Sequence, residues 1–244
     1  MHKNRNLMLL GCLLAGAWLA PLAAQANPVV SMELTAVNGN SLDGIYTAPY
    51  TAQIGPAGLT SASQFNSSNS ESVAIYCDDF YDDVSTGQVW QATVTNMSQL
   101  STTTLDTGLM FHGLSAGKQA ADYMAAAWLA EQIAGGKLTT LQTELDSYAI
   151  WRIFDPSALS GLSSTDRGLV WDDYWDAFDA VKNDTPSDFA NVNIYTPLDD
   201  KPGCASSQEY FTVGVPEPGT LALMAVGLAG LGFMARRRRQ SQSI

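Results

Sequence analysis

Along VVSMELTAV, Val29–Val37, apolar Val30, Met32, Leu34 and Ala36 alternate with polar Ser31, Glu33 and Thr35. A period of two predicts a strand with one face on a core. The period returns in ESVAIYC, which groups Val73, Ile75 and Cys77, and in GQVWQATVTNM, which groups Trp90, Ala92 and Val94. Residues 55–72, rich in Gly, Ser and Asn, predict a long loop. The period then changes. SAGKQAADYMAAAWLAEQIAGG sets Ala121, Met124, Ala125, Trp128 and Gln132 at helical spacing, with Ser115 as the starting cap and Gly135-Gly136 as the stop. In TTLQTELDSYAIWRIFDP, Thr139 and Gln142 form a capping box. Leu141, Leu145, Tyr148 and Ala149 make a stripe, and Asp155-Pro156 ends the helix. A third helix over roughly 165–182 turns Val170, Tyr174, Ala177 and Val181 inward and Asp172, Asp176 and Asp179 outward. NVNIYTP and EYFTVGV read as strands again. The order predicts a single α+β domain, its β-strands flanking a central helical segment.

Both ends depart from this pattern. Lys3 and Arg5 precede an apolar run from Leu7 to Ala20, and Ala24-Gln25-Ala26 is a small-x-small cleavage site. Residues 1–26 therefore read as a secretory signal peptide, passed through the Sec translocon and cut by signal peptidase between Ala26 and Asn27. At the other end no residue from Thr220 to Ala235 is charged. As a helix these residues span about 24 Å. That is short for a hydrocarbon core of ~30 Å, but the following Arg236, Arg237, Arg238 and Arg239 can snorkel. A transmembrane helix over 220–235 is expected, with the basic tail 236–239 cytoplasmic and everything before Pro216 outside.

Val215-Pro216-Glu217-Pro218, the Gly-rich apolar segment and the arginine cluster together resemble the PEP-CTERM sorting signal of Gram-negative bacteria, here over 214–240 with its motif at 215–219. The resemblance implies recognition by an exosortase, transient retention in the inner membrane, and delivery to the cell surface or an exopolysaccharide matrix. Residues 27–213 are then the extracytoplasmic domain.

Without its ends the chain keeps six Lys and Arg against twenty-three Asp and Glu, a net charge of −17 where the whole chain has −12. Nucleic acid and anionic membrane surfaces are excluded as partners. Such acidity suits solubility outside the cell, divalent-cation binding, or repulsion from acidic polysaccharide unless cations bridge the two.

Cys77 and Cys204 remain after the signal peptide takes Cys12. In an oxidising compartment they can form one disulfide, closing a loop that contributes about 4–5 kcal/mol in the chain-entropy model. CDDFYDD concentrates Asp78, Asp79, Asp82 and Asp83, hard oxygen ligands that make either a solvated acidic turn or a Ca2+ site. The spacing is not that of an EF-hand, and no zinc ligand set has the usual spacing. Gly113-Leu114-Ser115-Ala116-Gly117 matches a nucleophile elbow, and Ser115 to Lys118 spells S-x-x-K. The only histidine of the exported part, His112, precedes the serine, and no K-T-G companion exists, so Ser115 reads as a helix cap. Trp171 and Trp175 have core spacing, although a pair of tryptophans can also stack on sugars.

YCDDFYDDVSTGQVW, YMAAAWLAEQ and YAIWRIF, taken in order, resemble the surface thioester domains of bacterial adhesins over residues 73–155. The resemblance places Cys77 and Asp79 on a C-x-D motif and Ala149-Ile150-Trp151 on A-I-W. It implies a cysteine thiol acylated by a glutamine two residues before that alanine, where this chain has Ser147. Gln142 is more than a turn away. The scaffold is then shared without the thioester, with Trp128 and Trp151 in the core. The expectation is a non-enzymatic surface or matrix protein, structural or adhesive, with exosortase and exopolysaccharide as partners and no cofactor other than the Ca2+ alternative. A thioester adhesin using Cys77 and a secreted carbohydrate-active enzyme with paired carboxylates are the other readings.

Overall fold

A computed structural model describes residues 27–112, 115–198 and 207–214. The strands are β1 (Val29–Val37), β2 (Ser41–Leu42), β3 (Ile45–Tyr46), β4 (Tyr50–Pro56), β5 (Glu71–Cys77), β6 (Val89–Asn96), β7 (Val192–Pro197) and β8 (Tyr210–Val213). Three helices, α1 (Ala116–Ala134), α2 (Thr140–Phe154) and α3 (Ser164–Val181), are inserted between β6 and β7. Strands thus flank a central helical segment as expected.

Six strands close into an antiparallel barrel in the order β1-β4-β5-β8-β7-β6. Closure leaves none of the six barrel strands as an edge; only the separate β2–β3 hairpin has free edges among the described residues. β5 meets β8 at Cys77 opposite Tyr210, although more than 130 residues separate them. Val29 pairs with Thr93, Asn96 with Asn193, and Asn193 with Thr212, so both ends of the described chain lie at one end of the barrel. Tyr50, Cys77 and Tyr210 lie at the other. Met32, Leu34, Ala52, Ile75 and Ala92 share the inner face, while Ile194 and Phe211 lie on the outer face, where Phe211 meets Tyr123 of α1; all are nearly inaccessible.

β1 is more buried than its alternation predicts. Ser31 and Glu33, on the polar face, are also covered. The 55–72 loop folds back over them: Leu59 N donates to Ser31 Oγ (2.9 Å), and so does Gln91 Nε2 (2.8 Å). Gly55 permits that return, because a Cβ there would lie 2.8 Å from Leu59 Cδ1. The β2–β3 hairpin turns on Asp43 and Gly44 at φ 51° and 83°, the pair of left-handed residues a two-residue type I′ turn needs.

α1 occupies its expected span with Ser115 at the cap position, though the serine side chain makes no capping bond. The Thr139–Gln142 box of α2 is formed. Its predicted stripe needs correction. Leu141 is exposed, because burial begins only at Thr143, and from Thr143 to Trp151 every residue is buried. A helix covered all round is central rather than amphipathic. α2 packs on α1 and α3, on β5, and on the β2–β3 hairpin, where Glu144 Oε1 accepts from Ser41 N (3.1 Å) and Tyr148 Oη donates to Leu42 O (3.2 Å). On α3, Val170, Ala177 and Val181 face inward and Asp172, Asp176 and Asp179 outward as predicted. Trp171 is half-buried, and Trp175, expected in the core, is 61 % exposed. Among the described residues no helix is long and apolar enough to cross a membrane. The segment 220–235 lies outside them.

Candidate functional site

The run of acids at the end of β5 is divided by the fold. Asp78 and Asp79 are buried, Asp82 is half-buried and Asp83 is exposed. This is not the solvated acidic turn that composition allowed. The alternating pleat sends Asp78 to one side of β5 and Cys77 and Asp79 to the other.

On the first side Asp78 lies against Glu209, and both are fully buried. The Glu209 carboxylate accepts from Tyr123 Oη (2.5 Å), Met110 N (3.1 Å) and the Thr196 hydroxyl. Neither Asp78 carboxyl oxygen receives a donor from the described residues. Burial, and then the Glu209 charge, pushes Asp78 well above the carboxylate range. Glu209 is raised by burial too, against the pull of its donors. The two act as one site: Asp78, with no donor, is the member pushed further toward its protonated form, and Glu209, held by three donors, is the better placed to ionise.

On the second side the Cys77 thiol donates to Asp79 O (3.0 Å), with the Trp151 indole beside it. Burial and the two aspartates push the thiol well up, so it is a poor nucleophile. Gln208 Nε2 donates to that same Asp79 O (3.0 Å) and to Asp82 O, and its Oε1 accepts from Tyr210 Oη (2.7 Å). Asp79 Oδ1 accepts from Tyr81 N (2.9 Å), while Oδ2 receives no hydrogen bond from the described residues. Burial raises the Asp79 pKa to about 7.

Above these groups opens a cavity of about 390 Å3 at the barrel mouth. Tyr46, Tyr50, Phe80, Trp151 and Tyr210 supply its aromatic walls, and Asp79, Asp83 and Gln208 its polar groups. The hairpin forms one rim, tied down by Tyr50 Oη donating to Tyr46 O (2.7 Å). The pocket suits a neutral or cationic ligand with apolar faces and hydrogen-bonding groups.

Ser147 holds the position where thioester domains have glutamine. Its hydroxyl donates to Thr143 O (2.8 Å) and accepts from Ala48 N (3.2 Å), fastening α2 to the chain entering β4. Gln142 is spent on the α2 cap, accepting from Thr139 N (3.1 Å). Ala149, Ile150 and Trp151 are buried, and Trp128 half-buried. Among the described residues Cys77 has no disulfide partner, and Cys204 lies outside them, as do Gly113, Leu114, Ala26, Val215, Pro216, Glu217, Pro218 and Arg236 to Arg239. Asn27 Nδ2 donates to Thr95 Oγ1 (2.7 Å). His112 Nδ1 donates to Leu109 O (2.7 Å). Among the described residues no three His, Cys, Asp or Glu side chains are placed to hold a metal ion.

Sequence reasoning missed Gln208 and Glu209. Both precede a four-residue strand and match no motif. Only the isolation of Glu209 before an apolar run, EYFTV, could have marked it as buried.

No curated protein and no solved structure matches the chain. The model of the PEP-CTERM protein-sorting motif matches residues 214–239, beginning at the residue after β8. The chain thus carries a PEP-CTERM signal and is an exosortase substrate, exported and processed at the membrane on its way to the cell surface.

Proposed function

We propose that residues 27–213 form a non-enzymatic adhesive module of the cell surface or exopolysaccharide matrix. Export begins with cleavage between Ala26 and Asn27, and residues 220–235 anchor the chain in the inner membrane until exosortase acts. The observation that carries the reading is the aromatic pocket at the barrel mouth, with Asp79, Asp83 and Gln208 as its polar groups. Aromatic faces beside carboxylates and amides suit a neutral sugar: the rings cover its C–H faces and the polar groups take its hydroxyls. The test is glycan binding by the full chain, wild type against Tyr46→Ala and Asp83→Asn. Both are rim residues, exposed in the fold. A neutral glycan retained by wild type and weakened in both variants supports the reading. Glycan turnover that disappears in Asp79→Asn would replace it with an enzyme.

A second reading is favoured by one contact. Cys77 Sγ and Gln208 Nε2 each lie 3.0 Å from Asp79 O. Gln208 could thus stand in for the glutamine that Ser147 replaces: Sγ would bond to its Cδ, and its nitrogen would leave as ammonia. Intact mass separates the states. A thioester is lighter by one ammonia and resists thiol alkylation after unfolding, a Cys77–Cys204 disulfide is lighter by two hydrogens and reverses with reductant, and free thiols change neither.

A further inference from the structure

Six lysines and arginines serve the exported part of the chain, and three of them meet in one place. A groove of about 530 Å3 runs beside the C-terminal end of α2, with Lys118, Arg152 and His112 on its walls and Phe111, Phe154 and Tyr174 on its floor. It continues past Arg152 into a hollow of about 220 Å3 bordered by Arg167 and Trp171. In a domain with a net charge of −17, this is a local reversal of sign.

Arg152 stands between the two. Its guanidinium lies 4.4 Å from the centroid of the Trp171 ring and 5.5 Å from that of Tyr174. Two aromatic faces hold its plane, yet among the described residues it has neither a carboxylate partner nor a hydrogen-bond acceptor. The other cations are differently engaged. Lys118 is neutralised by Asp122, whose two oxygens it meets at 2.6 and 2.8 Å, and Arg167 donates to Leu162 O (3.1 Å). Asp122 is the carboxylate lining the groove. A pre-oriented planar fork with free donors is a receptor for one carboxylate, which it can bind through two parallel bonds. Beyond the lining of the groove Trp175 stacks on Trp171, at 6.2 Å and 20° between planes, and is exposed.

We propose that this groove binds the carboxylate-bearing sugar units of an acidic polysaccharide, with Arg152 gripping the carboxylate and Trp175 stacking on a sugar ring. The charge balance selects this occupant. A dense polyanion such as nucleic acid is repelled by the acidic domain around the groove. An acidic oligosaccharide carries one carboxylate per uronate on a single strand, where a nucleic-acid duplex carries two phosphates per step, and each sugar also offers a flat C–H face, which the exposed tryptophan matches. The proposal rests on the reading that the domain works outside the cell, and it uses a site separate from the barrel-mouth pocket.

The experiment measures binding of oligogalacturonate to the full chain in EDTA, which removes calcium bridging, by calorimetry. Arg152→Lys keeps the charge but not the fork. Expected are saturable binding by wild type, at least a tenfold loss in Arg152→Ala, an intermediate loss in Arg152→Lys and a several-fold loss in Trp175→Ala. No change is expected in Tyr46→Ala or Asp83→Asn. An unchanged near-ultraviolet circular dichroism spectrum shows that each variant is folded. No binding by wild type, equal binding of the methyl-esterified oligomer, or Arg152→Lys and Trp175→Ala both matching wild type would overturn the proposal. Equally tight binding of a polyglutamate peptide would overturn the sugar assignment. Loss confined to Tyr46→Ala and Asp83→Asn would sink the groove while leaving the barrel pocket standing; loss confined to Arg152 and Trp175 variants supports the groove whatever the fate of that pocket.

Discussion

Raising the pH from 5 to 8 should destabilise the domain. Asp79 is raised from 3.8 to about 7, Asp146 from 3.8 to about 7 and Asp173 from 3.8 to about 6, in each case first by burial and next, for Asp146 and Asp173, by neighbouring aspartates. A raised acid binds its proton more tightly folded than unfolded. Its contribution is complete below pH 4, and it is lost as the pH rises through the folded pKa. Each unit of that interval is worth about 1.4 kcal/mol per retained proton. Asp79 titrates over about two units above pH 5, giving about 2–3 kcal/mol. Asp146 is raised by burial and by Asp173, and Asp173 in turn by burial, Asp176 and Asp172. Asp173 is half-exposed, so water screens this pair, and about 1 kcal/mol is a fair share. These contributions come to about 3–4 kcal/mol, and buried Asp78, also raised, adds to them in the same direction, so Tm falls by about 10 °C or more in a domain of this size. Thermal unfolding followed by circular dichroism at pH 5 and 8, in ~0.5 M salt to suppress long-range repulsion, reads it directly. Asp79→Asn keeps an acceptor for Tyr81 N and should reduce the change by about 2–3 kcal/mol, leaving the part carried by Asp78, whereas exposed Asp83→Asn should leave the whole of it. A Tm that is level or higher at pH 8, or a full slope in Asp79→Asn, would refute the reasoning.

Two further outcomes are expected. Tyr123→Phe removes the 2.5 Å donor to Glu209 and leaves a buried carboxylate short of one partner. It should cost about 1–3 kcal/mol in urea unfolding, and Glu209→Gln combined with it should recover part of that loss. Replacing Pro216, Glu217 and Pro218 with alanine should leave the protein in the inner-membrane fraction, scored by immunoblot against the surface fraction, with the barrel still folded.

The elements with a strong local period were legible: β1, both capped helices and the inward face of α3 came directly from apolar spacing and end signals. β4 was not, although Tyr50, Ala52 and Ile54 alternate, because Gly55-Pro56 joined its end to the loop that follows. Barrel closure was not legible either, since more than 130 residues and all three helices separate the paired residues of β5 and β8, and periodicity carries no information on partners. In the site, Cys77 and Asp79 were identified from the acidic run. Gln208, Glu209, Tyr123 and Thr196 were not, because they come from separate elements and act through geometry that no spacing encodes. Arg152 was visible only as the residue after A-I-W; its two aromatic neighbours lie on α3 and take their meaning from the packing of α3 on α2. Trp175 shows the opposite failure, a helical spacing that matched the core on a residue that faces water.

The barrel also has a mechanical polarity. The sorting segment starts at the residue after β8, and Gly214 N is tied to Asn191 O at 2.7 Å. Any tether attached there pulls at the end of the barrel that also holds Asn27, opposite the mouth where Tyr50, Cys77 and Tyr210 meet. A chain held by its tail therefore stands with its mouth pointing away from the anchor. Drag on a ligand seated there would load β8 lengthwise, against the hydrogen bonds it shares with β5 and β7 together. Those bonds resist as a group when sheared and singly when peeled, so the arrangement favours a grip that holds under flow.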